Sequence, residues 1–218
     1  MTDSPGNSWP SYNVGDRDHL HAVGVISLNY AAFARGMDDL YTCHPAIRGL
    51  PRDLIDVYYF SLSEERRLAA IELAFSKGAD PKIQALVKNL IEYFNWARDA
   101  RNTLLHAEQY PALFGGRSDT LYLTKRNGKE NRKSVYVTLS LKHLRDIADK
   151  MQAGVQQGAR VRIFLRVQGV PVEKLPVSLR MFAPESLPEK LRVPKRLKIS
   201  LTPHDGPIPP HLRKSFDQ

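Results

Sequence analysis

The sequence predicts a mainly α-helical protein: an up-and-down antiparallel helical bundle with an appended β-hairpin, a further helix and an extended Pro-rich C-terminal tail. Three observations carry this. Apolar residues recur at three- and four-residue intervals through the first half, the period of one helix face. The breaks between those stretches are short, which favours antiparallel neighbours. After Gly115-Gly116 the pattern changes to alternation, the period of a strand.

Residues 1–18 are polar, rich in Ser, Gly, Asn and Asp, and read as a flexible N-terminus. From His19 to His44, Val23, Ile26, Tyr30, Phe33, Met37, Leu40 and Tyr41 form one stripe of an amphipathic helix. Pro45, Gly49 and Pro51 break the chain. A second helical stretch runs from Arg52 to Ser76, either continuous or jointed at 61–63, where Ser61-Leu62-Ser63-Glu64 has capping-box spacing. Gly78 closes it, and Pro81 suits the first turn of a third helix, Lys82 to Ala107. These elements make a helical domain over 19–116.

Residues 117–168 read as a basic hairpin plus a helix. Thr120–Thr124 and Ser134–Leu139 alternate, with Asn127-Gly128 in the connector and Lys125, Arg126, Lys129, Arg132 and Lys133 at the tip. Ser140 caps a helix carrying Leu141, Leu144, Ile147, Met151 and Val155, which ends near Gly158. Over 160–167, Val161, Ile163, Leu165 and Val167 alternate with Arg160, Arg162, Phe164 and Arg166. That favours a strand, although a helix would also gather Arg162 and Arg166 on one side. Residues 169–218 hold 9 of the 15 prolines and read as an extended, poorly packed, basic tail.

Composition bounds the function. With 218 residues, 42% hydrophobic and 25% charged, the chain can bury a core. The single Cys43 excludes an intrachain disulfide, no apolar run reaches the roughly 18 residues of a membrane span, and the start lacks a signal-peptide pattern. A cytoplasmic protein with no membrane partner is the expectation. Net charge divides unevenly: −3 over residues 1–116, +8 over 117–168 and +4 over 169–218. Such asymmetry suits a polyanionic partner, RNA above all, because neutralising phosphates releases condensed counterions. The seven His do not cluster with carboxylates, and no Gly-rich phosphate loop occurs, so neither a metal nor a cofactor is expected.

The third helix carries the chemistry. On a wheel at about 100° per residue, Ile83, Leu86, Val87, Leu90, Ile91, Tyr93, Phe94, Ala97, Leu104 and Leu105 form a wide apolar arc with Arg101 near its middle. Asn102 and His106 share one face at its edge, beside Arg98. A guanidinium in an apolar stripe is costly unless a carboxylate pairs with it or the face opens to a ligand. Asp38, Asp39, Asp56 and Glu72 are the candidate pairing groups. On the structural alternative Arg101 forms such an ion pair, Asn102 ties down a carbonyl and His106 caps the helix C-terminus.

Arg101-Asn102-Thr103-Leu104-Leu105-His106 resembles the RNxxxH form of the Arg-x4-6-His motif of the HEPN superfamily. The wider run from Trp96 to Ala107 is similar to the segment around that motif in HEPN-like proteins of unknown role. The resemblance covers about residues 19–116. It implies a HEPN-like helical bundle, a two-fold dimer that brings two motifs into one cleft, and a metal-independent endoribonuclease of the toxin or defence type, in some cases with an antitoxin partner. By that resemblance the RNA's own 2′-hydroxyl attacks the adjacent phosphorus. His106 then serves proton transfer, Arg101 meets the charge on the phosphoryl oxygens, Asn102 orients imidazole or phosphate, and Arg98 binds the next phosphate. The other reading is a catalytically silent HEPN-like module that binds nucleic acid or protein.

Around that centre, the hairpin cations with Tyr122 and Tyr136 suit a platform for single-stranded RNA, or the tyrosines form a cross-strand pair on a solvated hairpin. Arg160, Arg162 and Arg166 extend the positive stripe or face water. Trp96 falls outside the apolar arc, and Pro188–Lys198 reads as a linear binding stretch or as linker.

Overall fold

A computed structural model describes residues 17–77, 79–109, 120–126, 134–168, 170, 172–177 and 186–198. They form six α-helices and a small three-stranded antiparallel sheet. In chain order these are α1 (Arg17–Cys43), α2 (Pro45–Arg48), α3 (Arg52–Tyr58), α4 (Glu64–Ser76), α5 (Pro81–Leu105), β1 (Glu108–Gln109), β2 (Thr120–Arg126), β3 (Ser134–Ser140) and α6 (Leu141–Val167), followed by a 3-10 turn, Val172–Lys174. Among the described residues no helix is long and apolar enough to cross a membrane. The hairpin tip with Lys129, Arg132 and Lys133, and the tail beyond Lys198, lie outside the described residues.

The described residues divide into two compact units, and the divisions fall within α1, α5 and α6. The larger comprises 25–101 and 146–196. Its core is the stripe of α1 set against α4, α5 and α6: Ile26, Phe33, Met37 and Leu40 are fully buried with Ile71, Leu86, Leu90, Phe94, Met151 and Val161. Tyr30 stacks on Phe94 with ring centres 5.3 Å apart, and Phe33 meets the same ring edge-on at 5.2 Å. Helix starts follow side-chain caps. Ser63 rather than Ser61 caps α4, its oxygen accepting the Arg66 N–H; Asp80 Oδ1 accepts the Lys82 N–H at the start of α5. Pro45, expected only to break the chain, opens the short α2 after His44 caps it.

The contacts fix helix directions. Glu64 meets Arg98, while Phe75 and Gln84 line one cleft, so α4 and α5 run antiparallel across the tight 77–80 connection. Tyr30 meets Glu64, Asp38 meets Arg67 and His44 meets Phe75, so α1 and α4 run the same way. A strict up-and-down order does not hold for this pair, because residues 45–58, with α2 and α3, carry the chain back between them. Asn29 meets Ala148 and Asp39 meets Arg162, so α1 and α6 also run together.

Residues 160–167 are helical, not a strand. The helix expected to stop near Gly158 runs on to Val167, and Gly154 within it is a packing glycine. A Cβ built on Gly154 would stand 2.7 Å from Phe33 Cε1, and one on Gly158 3.9 Å from Phe33 Cε2. Beyond them Val161 is fully buried, Arg162 pairs with Asp39, and Arg166 Nε donates to Cys43 Sγ at 3.1 Å. Arg160 is exposed.

Residues 186–196 have no regular secondary structure, yet they are held. Asn89 Oδ1 accepts the Leu191 N–H at 2.9 Å and its Nδ2 donates to the Leu191 carbonyl at 2.9 Å. Trp96 Nε1 donates to the Lys195 carbonyl at 3.1 Å, and Gln157 Nε2 to the Glu189 carbonyl. The expectation of a poorly packed tail fails for this stretch, and Trp96 is buried beside it.

In the smaller unit, β1, β2 and β3 pair in that order. Leu121 lies opposite Leu139 and Leu123 opposite Val137, and all four are buried. Tyr122 lies opposite Thr138 and Tyr136 opposite Thr124, so the two tyrosines are diagonal neighbours rather than a direct pair. Ser140 caps α6, its Oγ accepting the His143 N–H.

Candidate functional site

The apolar arc of α5 turns Arg98 and Arg101 toward α1 and α4. The Arg101 guanidinium carbon lies 5.4 Å from the centre of the Tyr30 ring, close enough for a cation–π contact. Tyr30 Oη donates to Glu64 Oε2 at 2.5 Å. Arg98 stands 3.8 Å from Glu64 and 3.7 Å from Glu65. Burial, then the hydrogen bond to Glu64, pushes the Tyr30 phenol well above its ordinary range, so it stays a donor. Two guanidinium groups, two carboxylates and one phenol thus share a small cluster. Tyr30 and Glu64 did not figure among the expected partners of Arg101, which were all carboxylates on other positions. Two of those are engaged elsewhere: Asp38 accepts from Arg67 at 2.8 Å and from Tyr59 at 3.0 Å, and Asp39 pairs with Arg162. Burial raises the Asp38 carboxyl, while Arg67 and the Tyr59 bond act against that rise.

Asn102 and His106 belong to the smaller unit. Asn102 is half-buried in the last turn of α5, and His106 is exposed one residue past its end. The His106 N–H bonds the Asn102 carbonyl at 3.1 Å, closing the helix by its own backbone. Two residues later β1 begins, with Glu108 opposite Thr124. In that antiparallel register the chain arrives from His106 at the same end of the sheet where β2 continues into Lys125 and Arg126. His19, placed by sequence near a mobile start, is instead in the first turn of α1 and only 3% exposed; its Nε2 has no hydrogen-bond partner among the described residues. The signal that could have marked it is spacing: His19 lies four residues before Val23 and seven before Ile26, in line with the α1 stripe.

A concavity lined by Glu72, Phe75, Ser76, Pro81, Gln84 and Lys88 lies at the opposite end of α5 from Arg101. Among the described residues no three His, Cys, Asp or Glu side chains come together as a metal set.

His44 gives a pH dependence. Its Nδ1 accepts the Ala46 N–H at 3.3 Å and its ring stands edge-on to Phe75, so the neutral imidazole is the form the fold uses. Burial lowers its pKa from 6.5, so its share of stability is complete above about pH 6.5 and falls as pH drops toward the folded-state value. Melting temperatures between pH 7.5 and 5.5 should fall more for the wild type than for His44→Asn, which keeps an acceptor but cannot titrate. Equal slopes would remove His44 from the pH response.

No protein-family model matches the chain, and comparison with curated proteins and with solved structures finds no match to either.

Proposed function

We infer that the chain is a HEPN-like helical bundle acting as a metal-independent endoribonuclease, working as a two-fold dimer on RNA. The observation that carries this is the place of His106: it enters the sheet at the end where β2 leads into the basic hairpin residues Lys125 and Arg126. A proton-transfer group beside backbone-binding cations is what cleavage of RNA without a metal requires. In the reaction the 2′-hydroxyl loses its proton to a base and its oxygen bonds to the neighbouring phosphorus. The bond to the 5′-oxygen breaks, and that oxygen takes up a proton, leaving a cyclic phosphate and a 5′-hydroxyl. His106 moves the proton; Arg101, with its planar fork, meets the charge on the phosphoryl oxygens; Asn102 orients the group and Arg98 holds the next phosphate. Lys125, Arg126, Lys129, Arg132, Lys133 and Arg160 track the RNA backbone. Arg162 and Arg166, engaged by Asp39 and Cys43, contribute at most through their remaining donors. A protein that masks this basic surface would act as an antitoxin.

One observation favours the silent-module reading. Arg98 already faces two carboxylates and Arg101 lies over an aromatic ring, so both have a structural use.

The test incubates wild type and His106→Ala with end-labelled RNA in excess chelator. Cleavage by the wild type alone, leaving cyclic phosphate ends, is the expected outcome. Equal RNA binding by both with no cleavage would replace the nuclease by the binding module.

A further inference from the structure

Residues 186–196 touch the helices in an unusual way for a packed tail. A tail that belongs to a core contributes apolar side chains, but here Glu189, Lys190, Arg192, Val193, Lys195 and Arg196 are exposed and Leu187 and Leu191 only half-buried. What the segment supplies is backbone. Asn89, 8% exposed, and Gln157, 4% exposed, are buried polar side chains whose amides its backbone satisfies. Asn89 uses both ends of its amide on the N–H and carbonyl of one residue, the way a neighbouring strand would read Leu191. Trp96 and Gln157 take carbonyls four residues after and two before. Pro188 and Pro194, which offer no N–H, fall at positions where no donor is used, and they favour the extended backbone that these contacts need. Beside the backbone contacts Arg196 pairs with Asp99 at 3.5 Å, and that pair is largely exposed.

We propose that the faces of α5 and α6 bearing Asn89, Trp96, Asp99 and Gln157 form a peptide-binding groove for extended, proline-flanked, basic segments, and that residues 186–196 occupy it as a releasable strap. The helices read main chain, so the groove accepts sequence variation at the exposed positions and demands only an extended stretch with an N–H at the position of Leu191. When the strap leaves, the groove takes a segment of the same kind supplied in trans. This holds whether or not the chain cleaves RNA, since none of these residues belongs to the Arg101 cluster or to the His106 turn.

Leu191→Pro in the full-length chain removes the N–H that Asn89 accepts and leaves every groove residue unchanged. A fluorescent synthetic peptide of residues 186–198 is then titrated into wild type and variant. Self-occupancy lowers apparent affinity by the fraction of time the groove is free, so the variant is expected to bind the peptide about tenfold or more tightly than the wild type. The same peptide carrying Leu191→Pro is expected not to bind either. A variant that keeps its helical circular dichroism yet fails to take up the peptide overturns the proposal, as does equal uptake of both peptides. Should the variant fail to fold, hydrogen exchange on the wild type decides. Local release predicts that the Leu191 amide exchanges faster than the amides of α5 around Leu90, whereas exchange of Leu191 only by global unfolding would make the strap a fixed part of the core.

Discussion

Arg101→Ala is expected to lower the rate of RNA cleavage by about 100-fold or more while moving the melting temperature by only a few degrees. A positioned cation that meets charge developing on a phosphoryl oxygen acts mainly in the transition state, and losing one such group costs about 100- to 1,000-fold in rate. The structural term is smaller. The guanidinium is half-buried over the Tyr30 ring, a contact worth about 0.5–2 kcal/mol, and for a chain of this length each kcal/mol moves the midpoint by about 2–4 °C. Arg101→Lys should retain much of the RNA affinity and little of the turnover, because an ammonium is a point charge that cannot face two oxygens at once. Thermal denaturation and single-turnover cleavage, measured on the same samples, separate the terms. A large fall in melting temperature with turnover per folded molecule unchanged would assign Arg101 a structural role.

Phe33→Ala is expected to be the most destabilising single change, at about 3–5 kcal/mol, or roughly 6–20 °C. Phe33 is fully buried, edge-on to Phe94 and Tyr93, with its ring against Gly154. Gly154→Ala tests the same contact from α6. Alanine favours a helix over glycine by about 1 kcal/mol, but its Cβ would stand 2.7 Å from Phe33 Cε1 with the ring held on both sides. Overpacking of this kind costs about 1–3 kcal/mol, so the clash outweighs the propensity gain and the variant is less stable. Combining Gly154→Ala with Phe33→Leu should cost less than the sum of the two, because the shorter side chain makes room for the methyl. Urea denaturation of the four proteins measures that coupling; strict additivity would show that the ring does not constrain residue 154.

Much of the helical framework was legible because its signal is local. The stripe from Val23 to Tyr41 predicts a helix over His19–His44, and α1 is Arg17–Cys43; the third helix, read as Lys82–Ala107, is Pro81–Leu105. The hairpin strands followed from alternation in the same way. What escaped is tertiary. Gly158 reads as a helix stop in isolation, yet beyond it Arg162 and Arg166 bond Asp39 and Cys43 of α1. The strap escaped because backbone recognition leaves no pattern in the recognised segment, only buried Asn89 and Gln157 on the helices, and sequence shows neither as buried. At the candidate site, Arg101 in the middle of an apolar arc was visible, but its partner was sought among acids. Tyr30 stood in the α1 stripe as an apolar residue, and its ring face is also a seat for a cation.

The same-direction pairing of α1 and α6 has a consequence for how the protein is made. Asn29 and Ala148 are 119 residues apart, so at about 5–20 residues per second the ribosome takes roughly 6–24 s to supply the far partner after the near one. The hairpin of α4 and α5 closes over a short connection and forms early. For that interval the face of α1 around Phe33 lacks its glycine seat and is exposed to any chaperone or aggregating neighbour. A nascent chain halted before residue 154 should therefore bind hydrophobic dyes and chaperones, and one released past Val167 should not.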